Sequence, residues 1–458
     1  MDAINTFVKH IRRTTYNSLP SAVVEATKMQ VMDSMAVAIA GSTAESVGEL
    51  YDIFRDWGGK AESTVWLYGR KLPSIAAAQI NATMVHARDF DDTHDVAVLH
   101  PSVVAIPVGF AMAERLGNVD GKSFITACAL GIDLCSRLCL SCTSDYFAGG
   151  WHFTPLHGTL STTAVAGKLM GLSDSKLLNA FGIAYHQAAG NLQCVDDGAL
   201  TKRCGPGFAS RNGIISALMA DKGITGATQV LQGERGLFRQ YHRNAYNAGA
   251  LTKNLGKTYE GVNVSFKPYP CCRYNHPGID ATIALMKEYN IQAQDVERIL
   301  LQVGSTAFGI LCDPIEVKRQ PRNIVDTQFS YPWAIASTVV HGRVTVGDIV
   351  EKATRNKDVL AIAKKVFIQL DKKLCLPGIE PTIVNITVKG GRIFTKRVNI
   401  PYGSPKNPMS IDAIATKLQD AVPYGYKQLT ARKVDKLIDA IAGLEKVKDV
   451  SEIVSFLR

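Results

Sequence analysis

The hydrophobic pattern along the chain is mostly helical. Over residues 21–41, Val24, Val31 and Met35 recur at helical spacing on one face, between Pro20 as a start signal and Gly41 as a stop signal. A short helix is also expected inside 223–236, before Gly236. The same spacing predicts helices over 2–15, 45–56, 74–86, 101–116, 124–142, 158–169, 174–192, 205–223, 277–289 and from 410 to the end.

Extended segments concentrate in the second half of the chain. Residues 262–266 and 296–303 are strand-like, and 382–388 pairs with 393–398 as a hairpin across a turn that contains Gly390 and Gly391. A short extended piece is expected at 63–67. We therefore predict a mainly α protein, in which residues 1–266 and 405–458 form a large helical domain and residues 267–404 form an inserted, smaller α+β domain.

Composition and charge narrow the function classes. The 458 residues are 46% hydrophobic and 20% charged, which is typical of a globular protein with a large core. The formal net charge of +10 is spread along the chain without a long basic run, so we expect an anionic small molecule as partner rather than a nucleic acid. The longest apolar run that we identify, 103–113, is too short for a membrane span and contains Pro107.

The ten cysteines do not indicate a secreted disulfide framework. Asp2 and the polar residues after it lead directly into a helical pattern, so we expect a cytoplasmic protein with reduced thiols. Cys135, Cys139 and Cys142 have a spacing that also occurs at iron–sulfur sites. In a helix, however, these positions share one face, which favours buried core thiols.

Candidate chemistry is densest between His86 and His100. Four acids and three histidines lie there, between two apolar helical segments. Acids and imidazoles held close together can adjust each other's pKa values, as proton transfer requires. A surface charge cluster is the alternative, and Asp91, Asp92, His94 and His100 could instead bind a divalent cation.

Several motifs, taken together and in order, resemble the MmgE/PrpD superfamily. They are Asp89-Phe-Asp-Asp-Thr93 with His100-Pro-Ser102, Gly150-Trp-His152, Lys202-Arg203, and Lys267-Pro-Tyr-Pro270 with Cys272-Arg-Tyr-Asn-His276. Members of this family include 2-methylcitrate dehydratase, cis-aconitate decarboxylase and iminodisuccinate epimerase. The resemblance implies a large helical domain with a smaller lid, an active site between them, a homodimer, and no metal or organic cofactor.

The resemblance also implies site residues. The active-site positions of the decarboxylases match Asp89, Thr93, His100, His152, Lys202 and Lys267. One position departs from that pattern, because a histidine five residues after the lid lysine is Cys272 in this chain. The loop between Thr93 and His100 also looks one residue longer. Both differences argue against decarboxylation of cis-aconitate itself.

The chemistry of polycarboxylates explains why such residues are needed. Dehydration, decarboxylation and epimerisation all build negative charge beside a carboxylate, so cations must hold the substrate. Lys202 and Lys267 would supply two positive charges and Arg273 a third, bidentate one. His100 would move the carbon proton, with Asp89 orienting it or helping to position the substrate. His152 would act as the second acid/base, which protonates a leaving hydroxyl in a dehydratase, and Thr93 would hydrogen-bond a substrate oxygen.

Each of these roles has a structural alternative. His100 could cap the helix that follows it, His152 could be a packed core histidine, and the two lysines could lie on the surface. His276 could contact substrate or donate to a backbone carbonyl. Cys272 and its neighbour Cys271 are expected to line or pack the site rather than act as nucleophiles.

We therefore expect a cofactor-independent lyase that acts on a di- or tricarboxylate, most simply a 2-methylcitrate or citrate dehydratase-like enzyme. An epimerase of an iminodisuccinate-like dicarboxylate and a cis-aconitate-type decarboxylase are the enzymatic alternatives. The non-enzymatic alternative is a carboxylate-binding protein with a decayed site.

Overall fold

The computed structural model describes residues 2–144 and 149–458. The chain divides into two compact units. The larger consists of Met1–Ala87, Asp91–Val264 and Ser410–Arg458, and the smaller of Arg88–Phe90 and Ser265–Met409. The protein is mainly α with a small α+β portion, which confirms the predicted fold class.

The larger unit is built from helices and one two-stranded hairpin. Its hairpin pairs β1 (Ser63–Thr64) with β2 (Lys71–Leu72). Its α-helices are α1 (Ile4–Arg13), α2 (Ser21–Gly41), α3 (Val47–Trp57), α4 (Ser74–His86), α5 (Ser102–Leu116), α6 (Gly121–Ser141), α7 (Phe153–Leu169), α8 (Asp174–Gln187), α9 (Gln193–Asp196), α10 (Thr201–Asp221), α11 (Leu237–His242), α12 (Ala248–Thr252), α19 (Ile411–Ala421), α20 (Ala431–Ala442) and α21 (Ser451–Ser455).

Helix α2 lies at the centre of this unit. Every residue from 30 to 41 is buried, because α4, α5, α6 and α19 pack around it. A helix surrounded in this way is apolar on all sides rather than along one stripe. Its buried Asp33 accepts a hydrogen bond from Lys417 of α19 at 2.6 Å, and this paired charge connects the two ends of the chain.

Glycines allow α10 to pack closely against α4 and α7. A Cβ atom on Gly207 would lie 2.5 Å from the Gln79 carbonyl oxygen, and one on Gly213 would lie 2.0 Å from Thr162 Oγ1. Both distances are shorter than van der Waals contact, so only glycine fits at these crossings. The closeness of these helices positions the first turn of α10, which carries Lys202.

Helix α6 is the one described helix that is long and apolar enough to cross a membrane. However, 89% of its most apolar window is buried inside the larger unit, as is typical of a core helix. The sequence analysis did not single it out because Asp133 and Arg137 interrupt its apolar run. These two side chains form a buried ion pair at 2.8 Å.

The smaller unit combines six helices with a four-stranded sheet. The strands lie in the order β4-β3-β5-β6, with β3 and β4 parallel and the other pairs antiparallel. Its elements are α13 (His276–Tyr289), β3 (Val296–Val303), α14 (Ser305–Leu311), α15 (Ile315–Arg319), α16 (Ile324–Gln328), α17 (Tyr331–His341), α18 (Lys357–Ala363), β4 (Val366–Leu370), β5 (Thr382–Val388) and β6 (Ile393–Val398).

One face of the sheet and two helices enclose the core of the smaller unit. Ile299 and Leu301 of β3 are fully buried and pair in register with Ile386 and Val384 of β5. Helix α13 packs on β5, β6 and α17. The Tyr331 hydroxyl at the start of α17 lies 2.7 Å from Thr382 Oγ1, so this buried polar group is satisfied within the core.

Many predicted elements are confirmed, and several predictions were wrong. Helix α7 begins at Phe153 instead of residue 158, and α8 ends at Gln187 instead of residue 192. The bounds of α4, β3 and the β5–β6 hairpin are those predicted. No helix occurs within 223–236, where loop backbone leads to α11. Residues 262 and 263 belong to a 3₁₀ turn, Glu260–Asn263, rather than to an extended segment. Helix α10 begins at Thr201 instead of residue 205, so Lys202 lies in its first turn.

Candidate active site

A carboxylate and two imidazoles form a buried cluster in the larger unit. His86, the last residue of α4, places Nδ1 2.8 Å from Asp91 Oδ2. His100 places its own Nδ1 3.3 Å from the same oxygen. The two rings meet edge to face with centroids 4.8 Å apart. A carboxylate shared in this way stabilises the protonated form of either imidazole.

The hydrogen bonds of His100 define its tautomer. Its Nδ1 lies 2.7 Å from the carbonyl oxygen of Asp92, which can only accept, so Nδ1 carries the proton in the neutral ring. The lone pair is therefore on Nε2. The backbone N–H of His100 donates to Thr154 Oγ1 at 3.1 Å, and its side chain keeps 15% exposure. These features suit a base that a small molecule can reach.

A strained loop holds His100 in place. His94 and Leu99 pair as an isolated bridge, with the His94 N–H donating to the Leu99 carbonyl at 2.8 Å. Between them, Val98 has a φ of +52°, a left-handed conformation that is rare for a β-branched residue. Thr93 Oγ1 donates to the Leu99 carbonyl at 3.2 Å and is buried. Thr93 therefore closes the same loop.

His152 lies on the other side of His86. It precedes α7 as its N-cap residue, it is buried, and its ring stacks at 28° to the His86 ring with centroids 6.1 Å apart. A Cβ atom on Gly205 would lie 3.5 Å from His152 Nδ1, so the first turns of α10 contact this imidazole. The predicted histidines His100 and His152 therefore both lie near the His86 ring. Lys202 is half-buried and lies about one helical turn before Gly205.

Asp92 is a buried carboxyl group beside this cluster. Ser102 Oγ donates to its Oδ2, and Asp33 lies nearby. Burial, together with the charge of Asp33, raises the pKa of Asp92 well above its ordinary value. The Asp92 carboxyl group therefore favours its protonated, neutral form.

In the smaller unit, Lys267 and Asp89 form a buried pair. Lys267 Nζ donates to the Asp89 carbonyl oxygen at 2.8 Å and to Asp89 Oδ2 at 3.1 Å. Asp89 has a φ of +50°, which is an unfavourable backbone conformation for a residue other than glycine. Lys267 stabilises this conformation because it bonds both the backbone and the side chain of Asp89. The lysine is completely buried rather than on the surface. This excludes the structural alternative considered for it.

Arg273 and His276 form a second buried group in the smaller unit. Arg273 donates to the Tyr402 carbonyl at 2.9 Å, to Ser404 Oγ at 2.6 Å and to His276 Nδ1 at 3.0 Å. Since Nδ1 accepts, Nε2 carries the proton, and it lies 3.3 Å from the Cys271 carbonyl. Burial, with Arg273 and Lys267 nearby, lowers the pKa of His276 well below its ordinary value. Both ring nitrogens therefore serve the protein, and His276 orients Arg273.

The two cysteines of this segment are buried. Cys272 donates its backbone N–H to the Gln328 carbonyl at 2.9 Å and is 9% exposed. Burial raises the pKa of the Cys271 thiol above its ordinary value. A protonated thiol is a poor nucleophile, so a packing or lining role fits both residues.

Two of the four residues considered as a cation site, Asp92 and His94, have side-chain partners outside that set. Asp92 is bonded to Ser102, and His94 Nε2 lies 3.5 Å from Glu260 Oε2. Asp91 and His100 belong to the imidazole cluster. Sequence reasoning missed the role of Asp91, because three aspartates in four residues give no signal for which one faces the histidines. It also gave no role to His86.

Comparison with known proteins shows the family. The MmgE/PrpD N-terminal domain matches residues 5–247 and the MmgE/PrpD C-terminal domain matches residues 269–442. The chain belongs to the MmgE/PrpD family. These two matches confirm the resemblance drawn from the motifs.

Relatives of this MmgE/PrpD chain are enzymes of carboxylic acids. It is 25% identical to a cis-aconitate decarboxylase of Aspergillus terreus over 96% of this chain and 93% of the relative. It is 26% identical to that of Mus musculus over 99% and 93%. The 2-methylcitrate dehydratase of Salmonella typhimurium is 22% identical over 45% of this chain and 43% of the relative. These relatives support an enzyme that acts on a small carboxylic acid.

Proposed function

We propose that the protein is a lyase that removes water from a di- or tricarboxylate, with His100 moving the proton at the carbon next to a substrate carboxylate. The observation that carries the proposal is the tautomer of His100. Its Nδ1 is bonded to the Asp92 carbonyl at 2.7 Å, which makes Nε2 the basic nitrogen of the neutral ring. Asp91 would stabilise the imidazolium that forms when Nε2 takes the proton.

A second imidazole near His100 favours dehydration over a reaction that needs only a base. Elimination of water needs a base for the carbon proton and an acid for the leaving hydroxyl. His100 and His152 both lie against His86, at ring distances of 4.8 and 6.1 Å. In this proposal His100 is the base and His152 is the acid.

Cations are proposed to bind the substrate carboxylates. Lys202 in the first turn of α10 and Lys267 in the smaller unit would each contact one carboxylate, and Arg273 would add a bidentate contact. Asp89 would fix Lys267, to which it is bonded at 3.1 Å. Thr93 would contact substrate only if its hydroxyl exchanged its bond to the Leu99 carbonyl for one to a substrate oxygen. His276 would hold Arg273, and Cys272 would line the site.

Decarboxylation is the second candidate. It is favoured by relatives named cis-aconitate decarboxylase, which align with 96% and 99% of this chain. The cysteine at position 272, where the decarboxylases have a histidine, argues against it. Independence from cofactors, a homodimer and a cytoplasmic location remain predictions.

Proton NMR of the purified enzyme with citrate, 2-methylcitrate, cis-aconitate and iminodisuccinate in deuterated water distinguishes these functions. Loss of water from a hydroxy acid, with deuterium entering the substrate pool, is the expected result. Release of carbon dioxide would support the decarboxylase. Deuterium incorporation into the substrate without loss of water or carbon dioxide would support an epimerase. Binding without any exchange would support a decayed site and contradict the proposal.

A further inference from the structure

A cysteine and two histidines meet at a second place in the larger unit, separate from the imidazole cluster of His86 and His100. Cys142 follows the last residue of α6, His157 lies in α7, and His242 ends α11. Cys142 Sγ lies 3.5 Å from His242 Nε2 and 4.0 Å from His157 Nε2. All three potential ligand atoms lie within 4.8 Å of one another. We propose that these three side chains bind a zinc-class divalent metal ion.

The distances fit such an ion after small side-chain movements. Bonds of about 2.3 Å to sulfur and about 2.0 Å to nitrogen in a tetrahedron place sulfur and nitrogen roughly 3.5 Å apart. The Cys142–His242 separation already has this value, and the Cys142–His157 separation exceeds it by about half an ångström. The centroids of the two imidazoles are 5.2 Å apart, and their Nε2 atoms and the sulfur lie within 4.8 Å of one another. One thiolate and two imidazoles leave a fourth position for water.

The outer contacts also suit a metal site. His242 Nδ1 lies 3.1 Å from Ser144 Oγ, which can accept its proton and so leave Nε2 free to coordinate. Phe153 packs edge-on against both rings, at 5.1 and 5.3 Å. An apolar wall beside a polar cluster restricts water and strengthens the bonds to an ion.

One buried nitrogen of the cluster has no hydrogen-bond partner among the described residues. His157 is completely buried, and its Nδ1 has no hydrogen-bond partner among the described residues. Its Nε2 lies 4.0 Å from the Cys142 thiol, whose hydrogen is donated to the Leu138 carbonyl oxygen at 3.2 Å, so this contact is weak. Binding would replace the thiol proton of Cys142 with the metal and release that proton to solvent.

Backbone pairing keeps the three residues together. The Thr143 N–H donates to the Ala245 carbonyl at 2.9 Å, and the Asn247 N–H donates to the Ser141 carbonyl at 2.7 Å. These bonds fix the end of α6 against the segment after α11. The site is thus prearranged by the fold, and an ion would connect α6, α7 and α11.

Titration with Co²⁺ tests the proposal directly, because a thiolate bound to Co²⁺ gives a charge-transfer absorption band and a tetrahedral ion gives strong visible bands. Protein freed of metal by a chelator should bind one Co²⁺ per chain with both signatures, and Zn²⁺ should displace it. Cys142→Ser should abolish the charge-transfer band, and Ser144→Ala should weaken binding about tenfold by removing an outer contact. The matched controls are Cys375→Ser, an exposed thiol, and His10→Asn, a half-buried histidine outside the cluster. Both should bind like the wild type.

A second measurement covers the possibility that a variant does not fold. X-ray absorption of the zinc-loaded wild-type protein should reveal one sulfur and two imidazole ligands. A wild-type protein that gives no thiolate band with Co²⁺, a band that survives Cys142→Ser, or a zinc environment without sulfur would overturn the proposal.

Discussion

Asp91 contacts two histidines through one carboxylate oxygen. Its Oδ2 lies 2.8 Å from His86 Nδ1 and 3.3 Å from His100 Nδ1. The sequence predicted that acids and histidines meet in this segment, with Asp89 orienting His100 or helping to position the substrate, and it gave no role to Asp91. Asp89 and Asp91 are only two residues apart, and the backbone turn at Asp89, with φ +50°, cannot be read from residue types alone.

Replacing Asp91 with Asn should lower the turnover rate about tenfold to a hundredfold, since the imidazolium loses its countercharge. Measuring kcat at saturating substrate checks this effect. Full activity would show that the carboxylate has no part in proton transfer.

Asp92 offers a test through stability rather than rate. Burial and Asp33 raise its pKa in the folded protein above the unfolded value. The folded state therefore holds this proton more tightly, and stability falls as pH rises from the ordinary value near 4 toward the raised one. Asp92→Asn stays neutral, so its free energy of unfolding relative to wild type should improve as pH rises through that range.

Urea unfolding of Asp92→Asn and wild type at pH 4, 5.5 and 7 measures this trend. Asp435→Asn, on the exposed face of α20, is the control and should show no trend above about pH 5. A difference for Asp92→Asn that stays constant with pH would mean that the buried carboxyl remains charged.

At the level of elements, local signals predicted the bounds of α4, β3 and the β5–β6 hairpin, but they missed one end of α7, α8 and α10 by four or five residues. Pro73 and Ser74 begin α4, and Gly390 and Gly391 form the turn between β5 and β6, both with positive φ. The expected helix inside 223–236 failed because the glycines at 223, 226, 233 and 236 favour turns more than the few apolar residues favour a helix. The cluster of Cys142, His157 and His242 joins three elements that are distant in sequence, so no local spacing could reveal it.

The close crossing of α10 and α4 gives a prediction at this scale. Gly207→Ala should lower the free energy of unfolding by about 1–3 kcal/mol, because the new methyl group meets the Gln79 carbonyl oxygen at 2.5 Å. Urea unfolding measures the change. Gly309→Ala is the matched control, since its added Cβ has no atom within 4 Å and a helical alanine is favourable. Equal stability of the two variants would contradict the packing described for α10.

At the scale of the whole molecule, a net charge of +10 should attract a polyanionic substrate. Raising ionic strength from about 0.01 to about 0.15 M shortens the screening length from about 30 to about 8 Å, so KM should rise several-fold with little change in kcat. The rise should be steeper for a tricarboxylate than for a dicarboxylate. A KM that is independent of salt would argue against substrate attraction by the overall charge.

The fold class and the family followed from the whole sequence, because hydrophobic spacing and ordered motifs extend along nearly all of it. The roles inside the site did not, since they depend on tautomers and on which buried oxygen faces which ring. His276 illustrates this limit. The sequence left substrate contact and backbone donation equally open, and only the bond from Arg273 to Nδ1 identifies it as a positioning residue.

The account depends most on His100 as the group that moves the substrate proton. Proton NMR in deuterated water with the best polycarboxylate substrate should show turnover and deuterium incorporation reduced about 10²- to 10⁴-fold in His100→Gln. His186→Gln, an exposed histidine of α8, should retain the wild-type rate. A His100→Gln enzyme that exchanges hydrogen as fast as the wild type would contradict the mechanism.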